Sequence, residues 1–478
     1  MSRFILFCFL LFLVLSFSCK QNTSIDQAST TGVDSRPNII LIVADDHGKD
    51  ALGAYGNPII KTPNLDALAE GGTLFNRAFC TTASCSASRS VILSGLHNHA
   101  NGHYGHMHTY HHFSAFENVK TLPVLLAEQG YRTARVGKYH LASEPVFQFQ
   151  EHLQASARSP IEMADVSEAF IKEADDPFFL YFCFSDPHRG GGFAEELPYQ
   201  PDRFGNRLEG YPDIEEVKYS LDEVIVPPHL TDTKATRAEL AQYYQSISRL
   251  DQGVGKLLQY LKDAGKFENT LIMYISDNGM AFPGAKTTLY EAGMQLPLIV
   301  KTPQQNNAST TNAMVTWADL TPTILDYASI QDTSLLFHGQ SFRPVLEGAN
   351  WERSEIYASH TFHEVTMYYP MRVVRGERYK MIMNLASGLE YPFASDLFES
   401  KTWQSLLEQQ IDRLGEKPIQ AFLYRPKFEL YDLEKDPHEA FDLSTDPQHQ
   451  EILEGLKLKI KAFQEQTNDP WFYKWTYE

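Results

Sequence analysis

Asn38-Ile39-Ile40-Leu41-Ile42-Val43-Ala44, entered after Pro37 and left at Asp45-Asp46, is apolar without alternation and rich in β-branched residues. A strand of this texture is buried on both faces, as in a parallel sheet covered by helices on each side. The two aspartates then stand at its carboxyl end, where open α/β sheets place ligands. The pattern recurs at 178–184, which runs into Ser185-Asp186-Pro187-His188, and at Leu271-Ile272-Met273-Tyr274-Ile275, which runs into Ser276-Asp277-Asn278-Gly279. Between these strands lie helical stretches. One starts at Thr62-Pro63-Asn64-Leu65, with a Thr cap and Pro in the first turn; others cover 122–129, closed by Gly130, and 235–264, stopped by Gly265. A further strand covers 131–136. Polar residues thus gather at strand ends, where one site can collect them.

After Gly339-Gln340-Ser341 and Leu346-Glu347-Gly348 the texture changes to short strands and turns at 371–374, 379–383 and 429–433, followed by a helix over 451–463. The expected organisation is an α/β body over 36–350 with a large, mostly parallel sheet, and a smaller C-terminal α+β domain over 351–478 with an antiparallel sheet. The length of 478 residues, 43% hydrophobic and 21% charged, suits two domains. Residues 1–18, with Arg3 and an apolar run from Phe4 to Phe17, read as a secretory signal too short for a confident bilayer span. Ser16-Phe17-Ser18-Cys19 resembles a relaxed bacterial lipobox, against the alternative of ordinary signal cleavage, and 19–35 is a polar, Ser/Thr-rich tether. The expectation is export to the periplasm or outer membrane as a lipoprotein anchored at Cys19, with the membrane engaged only through that lipid.

With Cys8 in the signal, Cys19 in the lipobox and Cys85 in a Ser-rich motif, only Cys80 and Cys183 remain of five cysteines, which is no disulfide framework. The net charge of −19 argues against nucleic acid and against a long basic groove. An anionic substrate must then be attracted locally, in a pocket.

Asp45, Asp46, Asp277 and Asn278 offer hard oxygen donors from two strand ends, a set suited to Ca²⁺ or Mg²⁺ rather than zinc. In Cys85-Ser86-Ala87-Ser88-Arg89 the cysteine precedes the helix-compatible Val91-Ile92-Leu93, so its side chain stands at a helix N-terminus that favours an anion, with Arg89 one turn on. Alone, Cys85 could be a buried structural thiol, and Ser84, Ser86 or Ser88 could serve as a nucleophile, although no Gly-x-Ser-x-Gly elbow surrounds them. Gly137-Lys138-Tyr139-His140 follows a strand, and extended geometry there points Lys138 and His140 to one side. His188 and Lys286 add an imidazole and a cation. Seven of the 17 histidines fall at 97, 99, 103, 106, 108, 111 and 112. Zinc is one reading of that density; the spacings and Gly102 and Gly105 favour a loop forming a pocket wall of hydrogen-bonding imidazoles.

From Arg36 onward the chain resembles the type I sulfatases, and more narrowly the N-sulfoglucosamine sulfohydrolases, or heparan sulfamidases. The general resemblance rests on Arg36-Pro37-Asn38, Ala44-Asp45-Asp46, Thr62-Pro63-Asn64-Leu65-Asp66, the Cys85 motif, Gly137-Lys138, Asp186-Pro187-His188, Ser276-Asp277-Asn278-Gly279 and Glu429-Leu430-Tyr431-Asp432-Leu433. The narrower one rests on His111-His112-Phe113, His363-Glu364-Val365-Thr366-Met367, Tyr369-Pro370-Met371-Arg372, Asp251-Gln252-Gly253-Val254-Gly255 and Asn468-Asp469-Pro470-Trp471, stretches read as bearing on specificity.

The resemblance implies an alkaline-phosphatase-like sandwich. It also implies that a maturase converts Cys85 to 3-oxoalanine (formylglycine), whose hydrate is the nucleophile. Asp45, Asp46, Asp277 and Asn278 would hold one Ca²⁺ together with an oxygen of the modified Cys85. Arg89 and Lys138 would steady hydrate and sulfate, His188 and Lys286 would contact sulfate and protonate the leaving group, and His140 would be the base that releases sulfate. His111, His112, His363, Glu364 and Arg372 are assigned to sugar recognition. Two departures stand out: Ala87 occupies a position where many sulfatases carry Pro, and Lys286 one where sulfamidases carry Arg, which keeps charge but not bidentate geometry.

The expected activity is hydrolysis of the N-sulfate of terminal glucosamine in heparin or heparan sulfate fragments. The alternatives are an O-sulfatase, for example at the 6-position of a related glycan; a phosphatase or phosphonate hydrolase of the same superfamily; and a catalytically silent glycan-binding lipoprotein.

Overall fold

The computed structural model describes residues 36–190, 201–332 and 334–477. The signal segment 1–18 and the tether 19–35, Cys19 included, lie outside them. The strand Asn38–Ala44 is at the centre of an eight-stranded sheet, paired in parallel with Phe178–Cys183 on one side and with Thr270–Ser276 on the other. Beyond Phe178–Cys183 lie Arg132–Gly137 and then Glu151–Leu153, both parallel. Beyond Thr270–Ser276 lies Leu298–Lys301, antiparallel, followed by Thr73–Phe75 and Ser309–Thr311.

The absence of alternation in the central strand has the expected cause. Ile39, Leu41 and Val43 enter one apolar core while Ile40, Ile42 and Ala44 enter the core on the opposite face. Each of the Ile, Leu and Val side chains contributes roughly 1.5–3 kcal/mol by leaving water. The 30-residue helix Lys234–Asp263 covers the second face, packed on the helix Pro160–Glu173 through Leu250, Val254, Leu257 and Leu261. Their close approach explains Gly253, where an added Cβ would stand 2.3 Å from Pro160 Cβ.

Asp251 makes a second joint of the long helix rather than a specificity surface, which corrects the reading of its motif. Its carboxylate accepts from Leu65 N at 2.8 Å and from Asn64 Nδ2 at 2.8 Å, tying the long helix to the start of the helix Pro63–Glu70. The other end of the chain corrects a second reading. Arg372 is 2% exposed and its guanidinium grips Asp469 through Nε at 2.5 Å and Nη2 at 2.9 Å, so it holds the C-terminal segment instead of meeting a sugar.

A second, four-stranded antiparallel sheet runs in the order Glu355–His360, Met371–Gly376, Tyr379–Asn384 and Phe428–Asp432, covered by the helix Gln450–Gln466 through Leu453, Leu456 and Ile460. The described residues from Arg36 onward form one compact unit. Cys80, Cys85 and Cys183 are buried free thiols. Among the described residues no helix is long and apolar enough to cross a membrane.

Candidate active site

Two parallel strands ending side by side bring Asp45-Asp46 against Asp277-Asn278, all four fully buried. Asp46 takes a left-handed backbone (φ 68°), and its amide donates to Asp277 Oδ1 at 3.1 Å. Such a φ is uncommon outside glycine and is held here by its surroundings: Tyr243 OH donates to Asp46 O at 2.8 Å and accepts from Gly48 N at 2.8 Å. Asn278 Nδ2 donates to Asp46 Oδ1 at 2.6 Å.

Cys85 is the first residue of the ten-residue helix Cys85–Ser94, fully buried, its Sγ 3.6 Å from Asp46 Oδ1. Burial, and after it the Asp46 carboxylate, push this thiol well above its ordinary range. The neighbouring serines are committed elsewhere: Ser86 Oγ donates to His140 O at 2.6 Å, Ser88 Oγ donates to Asp277 O at 2.6 Å, and Ser84 Oγ is hydrogen-bonded to His363 Nδ1 at 2.8 Å.

Three cations and one imidazole reach the cluster. Arg89 Nε donates to Asp277 Oδ2 at 2.8 Å and its Nη1 to Lys138 O at 2.8 Å, while Lys138 Nζ pairs with Asp45 Oδ2. His188 Nδ1 lies 2.5 Å from Asp46 Oδ2, and Lys286 Nζ reaches the same oxygen at 3.0 Å. Burial opposes ionisation of Asp45 and Asp46, but Lys138 and His188 for the first, and Lys286 and His188 for the second, hold both below the usual carboxylate range. Asp277 goes the other way: burial and the Asp45 charge raise it to about 7.

The donor set fits a hard divalent cation. Asp45 Oδ1 and Asn278 Oδ1 are buried oxygens without a hydrogen-bond partner, beside crowded carboxylates whose like charge an ion relieves. Oxygen donors dominate the set, as expected for Ca²⁺ or Mg²⁺. His47 is not part of it, since its nitrogens meet Tyr274 OH at 2.6 Å and Ala51 O at 2.8 Å.

Lys138 and His140 do not share a direction as an extended chain would require. His140 has φ 55°, which turns its ring away from the strand into an imidazole cluster while Lys138 reaches Asp45. In that cluster His140 Nε2 meets His108 Nδ1 at 2.8 Å, and His106 Nε2 meets His363 Nε2 at 2.9 Å. Burial, then Lys138 for His140 and His363 for His106, keep these rings far below the ordinary histidine value. His111 Nδ1 accepts from Val365 N at 3.1 Å, so it braces the loop carrying His363 and Glu364. Glu364 Oε1 in turn accepts from Ser395 N at 3.0 Å and Ser395 Oγ at 2.7 Å. His112 is exposed.

Three contributors had no signal in the sequence. Asp396, in the short helix Ser395–Phe398, places Oδ2 3.0 Å from Lys286 Nζ. Arg158 and Arg249 clamp the buried Asp186 carboxylate, each at 2.8 Å, and Arg158 Nη2 also donates to His188 O at 3.0 Å, which fixes the loop that carries His188. All three depend on contacts between distant segments, and a lone Asp or Arg in an ordinary helix or turn announces none of them.

Residues 37–330 match the sulfatase family, and residues 284–399 match a second family described as N-sulphoglucosamine sulphohydrolase, C-terminal. The chain is 38% identical to the human N-sulphoglucosamine sulphohydrolase over 91% of its length and 92% of that protein's. It is 26% identical to an N-acetylglucosamine-6-O-sulfatase of Bacteroides thetaiotaomicron over 70% of this chain and 77% of that one. Among solved structures, a protein in complex with its substrate D-glucosamine-2-N,6-O-disulfate superposes with a TM-score of 0.66, at 22% identity over 91% of this chain and 99% of that one. That likeness supports an alkaline-phosphatase-like arrangement of the two sheets.

Proposed function

The chain belongs to the sulfatase family and is a sulfate ester or sulfamate hydrolase, and from that premise we propose that it removes the N-sulfate of terminal glucosamine in heparin or heparan sulfate fragments, with Ca²⁺ as its metal. The observation that carries the substrate assignment is the second family match: residues 284–399 contain Lys286, His363, Glu364 and Asp396, which stand around the Cys85 end of the site.

Cys85, once converted to formylglycine by a maturase, would provide a hydrated aldehyde as nucleophile, and Asp45, Asp46, Asp277 and Asn278 would hold a divalent ion whose charge would offset that of the sulfuryl group. The chain's own residues do the rest. Lys138 and Lys286 set two ammonium groups on either side of the carboxylate pair, where they offset the charge of the sulfuryl oxygens. A glucosamine nitrogen leaves poorly as an anion, so it needs a proton at the moment the S–N bond breaks. His188, against Asp46 and 3.2 Å from Lys286 Nζ, is placed to give it. His140, kept neutral by burial, retains a lone pair to take a proton when sulfate is released.

Export and lipid attachment at Cys19 are part of the same proposal, supported by the apolar run to Phe17 and by Ser16-Phe17-Ser18-Cys19; the mass of the mature N-terminal peptide checks them. The activity is tested by offering the matured enzyme N-sulfated and 6-O-sulfated glucosamine separately and measuring sulfate. Release from the N-sulfated sugar, lost in Cys85→Ala by roughly 10⁴-fold or more, is expected. Release only from the O-sulfated sugar establishes the O-sulfatase alternative instead.

A further inference from the structure

We propose that His106, His108 and His140 form a second, nitrogen-donor metal site, for a transition ion such as Zn²⁺, which shares His140 with the hydrolytic centre and suppresses turnover when filled. The inference deepens the function proposed above and rests on it for its inhibitory half alone. The three ring centres stand 4.8 Å apart in every pairing. One nitrogen from each ring lies within 4.8 Å of the others. With zinc–nitrogen bonds of about 2.0–2.1 Å, three imidazoles around one ion have ring centres roughly 5 Å apart. The rings are therefore already at the spacing of a coordinated set, and only small rotations bring their donors inward.

The nitrogens are available. His106 commits Nε2 to His363 Nε2 at 2.9 Å, and His363 is held at its other nitrogen by Ser84 Oγ at 2.8 Å. This is how a ligand's far nitrogen is anchored in metal sites, and it leaves His106 Nδ1 buried without a partner. His140 Nε2 and His108 Nδ1 already converge at 2.8 Å, so an ion can replace the hydrogen bond between them. His108 is the exposed corner, giving an entry path. Burial keeps His106 and His140 uncharged, so binding there displaces no proton at neutral pH. Three imidazoles select borderline cations over Ca²⁺, whereas the neighbouring oxygen cluster selects the reverse.

The test uses the matured full-length enzyme, and its Cys85→Ala variant, in excess calcium to keep the oxygen site filled, titrated with Co²⁺ and Zn²⁺. One equivalent of Co²⁺ with the intense visible absorption of a low-coordinate nitrogen site is expected in both proteins. In His108→Ala, whose thermal midpoint reports an intact fold, binding should weaken by more than about 100-fold, beyond the loss typical of an outer partner. Absence of that absorption in Cys85→Ala, or its persistence in His108→Ala, overturns the site irrespective of catalysis. Zinc should also slow sulfate release in the wild type, reversibly with a nitrogen-donor chelator that spares calcium, and not in His108→Ala. If Co²⁺ binds as expected but zinc leaves the rate untouched, the inhibitory role is overturned; if no sugar releases sulfate in controls with calcium alone, the hydrolase reading fails while the spectrum still judges the site.

Discussion

Two buried charge networks in this protein solve opposite problems. At Asp469 every oxygen is answered: Oδ2 takes Arg372 Nε at 2.5 Å and Gln464 Nε2 at 2.9 Å, and Oδ1 takes Arg372 Nη2 at 2.9 Å and Trp471 N at 3.0 Å. At Asp45, Asp46, Asp277 and Asn278, carboxylates crowd one another, two oxygens have no hydrogen-bond partner, and each of the three carboxylates is pressed by a cation. The first network is finished and holds the fold. The second is left incomplete within the chain, and that incompleteness is its capacity to bind an ion and an anion.

The contrast is broken most strongly at Lys286. Replacing it with Met keeps the length but removes the cation shared by Asp46 and Asp396, and sulfate release should fall by about 10²–10³-fold with secondary structure unchanged. Retention of full turnover would mean that Lys286 only balances buried charge. At the other network Arg372→Met should cost about 3–5 kcal/mol of unfolding free energy in urea, because it strands the Asp469 carboxylate, while kcat/KM of the folded fraction stays the same. A loss of kcat/KM without loss of stability would return Arg372 to the substrate site.

The smallest effect concerns His338, whose Nδ1 accepts from His97 N at 3.2 Å. Burial holds it at about 4 against an ordinary 6.5. The unfolded chain therefore binds a proton below about pH 6.5 that the folded chain refuses. This group's stability contribution is constant above that pH and falls by about 2 kcal/mol near pH 5. His338→Gln should flatten this part of the urea-midpoint profile; an unaltered slope would place the acid sensitivity in other groups.

Much of the scaffold was legible in the chain because it rests on local patterns. The two-faced burial of Asn38–Ala44 and the helix stop at Gly265 follow from residue order, and so does the placement of Asp45 and Asp277 at strand ends. The family motifs likewise marked Cys85, Arg89, Lys138, His188 and Lys286, which the fold gathers around Asp45, Asp46 and Asp277. Arg372 and Asp251 were misread because a buried ion pair and a helix cap leave the same mark in sequence as a binding residue: a polar side chain in a distinctive motif. Only the partner tells them apart, and the partners are 97 and 187 positions away.

Sequence alone determined the sheet, the strand-end acids and the cysteine at a helix start, since each depends on the periodicity and identity of neighbours within a few residues. The tertiary structure decided what those residues face. It turned His140 through a positive φ into the imidazole cluster, brought Asp396 to Lys286 across 110 positions, and gave Asp469 to Arg372. The physical reason is that hydrogen bonds and ion pairs between distant segments follow from the packing of the two sheets, and no local propensity encodes them.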